Sequence, residues 1–327
     1  MKYNTIMVYC SVCGTKSKSK GIICEKCGSL LKNKKYYNLG SLENFNDIAT
    51  DSNLKILNEN PLSALEYEIL LKNIIQMGKE YLKNCDYEFS TTNVLGKIRL
   101  ITKSYADVVY KSKGAEQGSY SYNQIKIDDR LNDCDIISTL IHELAHHLFN
   151  EIFEQMLMYV WEVEKTDAIE AFVSFTFGTN PVYLLMNEYC AHTVEGRFIP
   201  HGYQRYGSFN SILNEEFDLE KDSEVVSFAL MMGNSLASDI IRILENFITD
   251  DIRSEIKQEY IRSCSSKQDY DEMILESDET LPVDEKLKHM HVILMSGIAL
   301  SGDENCEEIF SIFKQGYSIH NKSETIR

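Results

Sequence analysis

The 327-residue chain carries 33 Lys and Arg against 50 Asp and Glu, a formal charge of −17, with 43% hydrophobic and 25% charged residues. That balance suits a folded protein with a sizeable core, and it argues against a protein that binds nucleic acid with its whole surface. The charge is uneven: residues 1–37 hold eight lysines and one acid, a formal +7 that leaves −24 for the remainder, and this predicts a separate N-terminal module.

Within that module, "CSVCGTKSKSKGIICEKCG" sets Cys10, Cys13, Cys24 and Cys27 as two C-x2-C pairs. Each pair can turn both sulfurs towards one ion, and four thiolates close a tetrahedral Zn2+ shell with no open position. The expected role is therefore structural, since so short a segment cannot bury enough core to fold without the metal. The segment resembles a zinc ribbon. Its lysines make it a candidate contact for nucleic acid or an acidic protein partner.

Residues 38–60 read as a polar linker, and Pro61 as the first turn of a helix whose stripe is Leu62, Leu65, Ile69, Leu70 and Ile74. "KIRLIT" (97–102) and "ADVVY" (106–110) read as strands, and "GSYSYNQIKID" (118–128) as a strand whose phase changes near Asn123. A helix over about 135–150 follows, then helical segments over 151–162, 166–177 and 182–197. Residues 198–210 read as a loop, and helices near 223–248, 251–263 and 284–300 complete the chain. "MKYNTIMVYC" lacks the apolar run of a secretory signal, and the stretches near 225–232 and 292–300 are too short for a bilayer. A cytoplasmic protein without membrane contact is expected. Its remaining cysteines, 85, 134, 190, 264 and 306, would be buried thiols.

The chemistry concentrates in "TLIHELAHHLF", which contains the H-E-x-x-H pattern His142-Glu143-Leu144-Ala145-His146. On a helix His142 and His146 lie one turn apart on one face and can reach one zinc. Glu143 falls beside the metal, where it can take a proton from an activated water as general base. His147 falls on another face and is expected at the surface or behind the ligands. A third ligand is sought downstream. "NEYCAHTVEGRF" puts Glu188, His192 and Glu195 on one helical face, while Glu170 and Glu164 in "VEKTDAIEAF" are rivals at shorter spacing. An oxyanion stabiliser is expected from the loop after 198, with His201 and Tyr203 as candidates.

"HELAHHLF" resembles the zincin metallopeptidases, close in wording to the ImmA/IrrE-like and SprT-like groups. "NEYCAH" is similar to the third-ligand helix of gluzincins, where Glu is followed by Ala at +3 and Asp at +4. The resemblance implies Glu188 as third ligand and a small sheet whose edge strand pairs with an extended peptide substrate. The chain departs from it at +4, where His192 stands. His192 could be a fourth ligand, a donor to the oxyanion, or a changed partner for a ligand histidine.

The expected architecture is α+β: a zinc ribbon (1–37), a linker (38–60), a zincin-like core (61–212) with a small mixed sheet and an active-site helix, and a helical region (213–327). The expected function is a zinc metallopeptidase with one catalytic and one structural Zn2+, His142, His146 and Glu188 as ligands and Glu143 as base. The alternative is a regulatory or binding protein with an inactive zincin fold, contacting nucleic acid or protein through the ribbon.

Overall fold

A computed structural model of the chain describes residues 7–9, 16–18, 42–43, 47–111, 117–263 and 273–302. In the N-terminal module β1 (Met7–Tyr9) pairs antiparallel with β2 (Lys16–Lys18), Met7 opposite Lys18. The four cysteines of the proposed ribbon lie outside the described residues.

The segment read as a polar linker contributes to the core. It contains α1 (Asp51–Glu59), capped by the Thr50 hydroxyl, and it buries Leu42, Ile48, Ile56 and Leu57. Trp161 Nε1 donates to the Asn53 carbonyl at 3.3 Å and ties this segment to the centre of the fold. The next helix, α2 (Ala64–Asn84), begins after Pro61. Ser63 accepts from the Glu66 amide, and the Glu66 carboxylate returns to the Ser63 N–H at 2.9 Å. This reciprocal cap fixes the start better than proline at the first turn would. After α3 (Asp86–Thr91), the "KIRLIT" stretch is helix, not strand, within α4 (Val94–Lys103). Asn93 Oδ1 accepts from Gly96 N at 2.9 Å, and Val94, Leu95, Ile98 and Ile101 bury at three- and four-residue spacing. The helical stripe outweighs the preference of two isoleucines for a strand.

The sheet consists of β3 (Asp107–Lys111), β4 (Gly118–Ser121) and β5 (Gln124–Asp128) in the order β3-β5-β4. β3 runs parallel to β5, and β4 antiparallel to it. The expected break near Asn123 is a hairpin turn: Tyr122 (φ 47°) and Asn123 (φ 64°) both take left-handed backbone, as a two-residue turn of this hand requires. β4 is thereby an edge strand.

α5 (Asp133–Trp161) is one helix of 29 residues where the sequence suggested two. Asn132 Oδ1 caps it through the Asp135 amide, Asp133 and Asp135 favour its positive end, and Glu162 closes it in the left-handed region (φ 55°). It is buried on nearly every side: Leu140, Leu144, Leu148 and Phe153 on successive turns are all inaccessible to solvent or nearly so. Against it pack α6 (Asp167–Thr179), α7 (Pro181–Phe198), α9 (Ser223–Leu244) and α10 (Asp250–Ser263), while α8 (Gly207–Glu216) lies on α7 and α11 (Val283–Ser301) on α6.

One contiguous core runs from Leu42 to Ile298. The expected boundary at 212/213 falls inside α8, and the C-terminal helices share the core of the helices before them. α9 lies along α7 and is long and apolar enough to cross a membrane, by length and composition; half of that apolar stretch is buried here. It also carries Asp239, which is buried with Lys286 and the Tyr67 hydroxyl and joins α2, α9 and α11. The described fold is α+β, mostly helical with a small mixed sheet.

Candidate metal centre

α5 and α7 cross so that His142 and His146 face Glu188. α7 starts sharply for this role: Pro181 occupies the first turn and Asn180 Oδ1 accepts from Val182 N at 2.9 Å. His142 Nε2 and His146 Nε2 are 3.1 Å apart. Glu188 Oε2 lies 3.6 Å from the first and Glu188 Oε1 3.5 Å from the second. A tetrahedral Zn2+ with bonds of about 2.1 Å sets its ligands about 3.4 Å apart. The two nitrogens and the carboxylate, which turns one oxygen towards each ring, thus lie at about the spacing of ligands around such an ion.

The outer ring nitrogens decide the protonation. His142 Nδ1 faces Glu195 Oε2 at 3.3 Å, and His146 Nδ1 faces Asn187 Oδ1 at 3.0 Å. Both oxygens accept, so both Nδ1 atoms donate, and each Nε2 turns a lone pair towards Glu188. Two ring nitrogens 3.1 Å apart need a proton or a metal ion between them. The chemistry of the donor set also fits zinc, which takes imidazole nitrogen and carboxylate oxygen.

The electrostatics favour the neutral ring at His146 and the protonated ring at His142. Burial pushes His146 down to about 4, so its imidazole is neutral at pH 7. Burial would raise Glu188 and Glu195, but the surrounding imidazoles outweigh it; Glu188 sits well below the usual carboxylate range and Glu195 at about 2. Burial also opposes the charged form of His142, yet the Glu188 and Glu195 carboxylates beside it raise it overall, so a proton competes with a metal there.

Glu195 and Asn187 are the residues that sequence reasoning missed. Glu195 was placed on the ligand face but given no role, although its position two turns after Glu188 brings it to His142. It takes the place of the aspartate expected at +4. Ser138 Oγ, one turn before His142 on α5, donates to Glu195 Oε1 at 2.5 Å and steadies it.

His142, His146 and Glu188 open on a cavity of about 840 Å³. β4 forms one wall, with Gly118, Ser119 and Tyr120; Thr139, Glu143 and Asn150 of α5 line the floor; Tyr203, Arg205 and Ser208 close the far side. Glu143 is buried against β4 because residue 118 is glycine: a Cβ there would lie 2.2 Å from Thr139 Cγ2 and 2.9 Å from Glu143 Oε1. The edge strand, the acid and the ligands thus share one space. None of the residues lining it lies beyond Ser208, so among the described residues the C-terminal helices do not cover the cleft.

Other candidates are placed elsewhere. Glu170 pairs with Lys165 at 3.2 Å, Glu164 is exposed, and neither lines the cavity. His201 is exposed and outside the cavity, whereas Tyr203 lines it, edge-on to Tyr260 at 5.2 Å. His147 is buried rather than at the surface, edge-on to Tyr120 at 5.6 Å, and burial pushes it down to about 4. Cys190 is buried away from the ligands, as are the walls of α7 around it. His192 remains at the site, and its ligand atom lies within 4.8 Å of those of His142 and Glu188.

Comparison of the chain with protein-family models, with curated proteins and with solved structures gives no match, so function is inferred here from the geometry of the site alone.

Proposed function

We propose that the chain is a zinc-dependent peptidase of zincin type, with His142, His146 and Glu188 as metal ligands and Glu143 as general base. The observation that carries this reading is the convergence of two imidazole nitrogens and a carboxylate at about ligand spacing, beside a buried acid and an edge strand. A zinc ion bound there polarises a carbonyl and brings the pKa of a water towards neutrality. Glu143 accepts the proton of the attacking water and passes it to the leaving amine when the C–N bond breaks. β4 offers its free backbone edge to an extended peptide, which sets the scissile bond along the cavity floor. Glu195 and Asn187 hold the ligand rings in the tautomer the metal needs. The Cys10, Cys13, Cys24 and Cys27 quartet is proposed to hold a second, structural zinc, and the lysines around it to meet a nucleic acid or protein partner.

The test uses the purified full chain and fluorescein-labelled casein. Hydrolysis is expected, with loss on removal of metal by a chelator and recovery on adding zinc. Cleavage that persists after the metal is stripped would contradict the reading.

A further inference from the structure

His192 stands one turn after Glu188 on α7, in the cavity wall, at the position where the resembled pattern has an aspartate. Its side chain is 3% exposed. Its Nε2 lies 3.1 Å from Ser208 Oγ and 3.8 Å from Glu188 Oε2. Ser208 Oγ in turn donates to Glu188 Oε2 at 2.8 Å. A serine hydroxyl has one proton, and the carboxylate takes it. The Ser208 oxygen then offers His192 only lone pairs, so His192 Nε2 is the donor of that contact. An Nε2–H is not a metal ligand; it is a hydrogen-bond donor set beside the ligand carboxylate.

The ring is held from three sides. Its Nδ1 faces Glu195 Oε2 at 3.4 Å, without an aligned hydrogen bond among the described residues. The Tyr206 ring packs against it at 5.1 Å. Gln204 Nε2 donates to the His192 carbonyl at 3.0 Å and its Oε1 accepts from the Tyr206 hydroxyl at 2.8 Å, which ties the loop before α8 to α7. The donor is thus held beside the ligand carboxylate before reaction, and only a change of partner from Ser208 Oγ is needed for it to meet a developing negative charge.

We propose that His192 is a catalytic residue, whose Nε2–H donates to the scissile carbonyl oxygen as that oxygen becomes negative. The inference rests on the peptidase reading. Water oxygen bonds to the carbonyl carbon, the C=O π pair moves to the carbonyl oxygen, and Glu143 holds the proton that the water gives up. His192 stabilises the oxyanion without releasing its own proton. On collapse the π pair returns, the C–N bond breaks and the proton held by Glu143 goes to the amine nitrogen, leaving a carboxylic acid and an amine.

The experiment compares wild type, His192→Ala and His192→Gln as full chains, loaded with zinc for kinetics on labelled casein and with cobalt for visible spectra. All three are expected to bind metal equally and to give the same cobalt spectrum. His192→Ala should lose about 10²–10³ in kcat with little change in KM, the size of effect found when one oxyanion donor is removed. His192→Gln, which keeps an N–H donor, should recover part of that loss. An altered cobalt spectrum or lost metal in His192→Ala would make His192 a ligand and overturn the inference. An unchanged kcat would overturn it and leave the peptidase reading intact. A wild type that binds zinc yet leaves casein whole would overturn the peptidase reading and this inference with it.

Discussion

Replacing Glu143 with Gln should lower kcat on casein by about 10²–10⁴-fold, the range for loss of a positioned general base, while zinc content stays at the wild-type level. The substitution keeps the volume of a buried side chain packed beside Gly118, so the helix and the residues proposed as ligands should stay in place. What it removes is the carboxylate that takes and returns a proton. A variant that cleaves at the wild-type rate would show that Glu143 is not the base. One that loses metal as well would move Glu143 from proton transfer into the support of the site.

The second large effect is expected on stability, at a cluster outside the cavity. Lys165 Nζ lies 2.7 Å from Glu151, 2.8 Å from Glu154 and 3.2 Å from Glu170, and the side chains of Glu151 and Glu154 are 1% and 5% exposed. One ammonium thus serves three carboxylates in a largely buried place. Lys165→Met would leave them without a counter-charge, and removing one partner of a buried charged group costs about 3–5 kcal/mol. The loss should depend on pH. Burial already pushes Glu154 up to about 8 from an ordinary value of 4.5, so the folded chain holds a proton there that the unfolded chain releases. Stability from that proton is fully present below about 4.5 and is lost as pH rises through about 8. Without Lys165 the carboxylates need protons still more. Urea unfolding at acid and at mildly alkaline pH should therefore show a smaller loss in the variant at pH 5.5 than at pH 8, about the two ends of the titration. An equal loss at both would mean that protonation of the carboxylates does not make up for the missing ammonium.

The histidine helix was legible because its pattern is local: histidines at i and i+4 on an apolar stripe determine one another's direction. The helix with Glu188 was legible for the same reason. Its partners were not. Glu195 reaches His142 across two helices, 53 residues apart, and Asn187 reaches His146 from the residue before Glu188, so only the crossing of α5 and α7 reveals either. Residues 97–102 misled because Lys, Ile, Arg and Leu alternate over four positions, while the helical pattern becomes visible only when Val94 and Leu95 are included. Residues 38–60 misled because their four buried apolar side chains are spread thinly among polar ones. His201 shows the limit of reading roles from a loop: its neighbour two residues on reaches the cavity and it does not.

The central claim is a metal held by His142, His146 and Glu188, and the most direct measurement is zinc bound per chain in purified wild type and in Glu188→Ala. About two zinc ions are expected in wild type, one in the cysteine module and one at the histidine helix, falling to about one in the variant. Two ions retained in Glu188→Ala would contradict the ligand set.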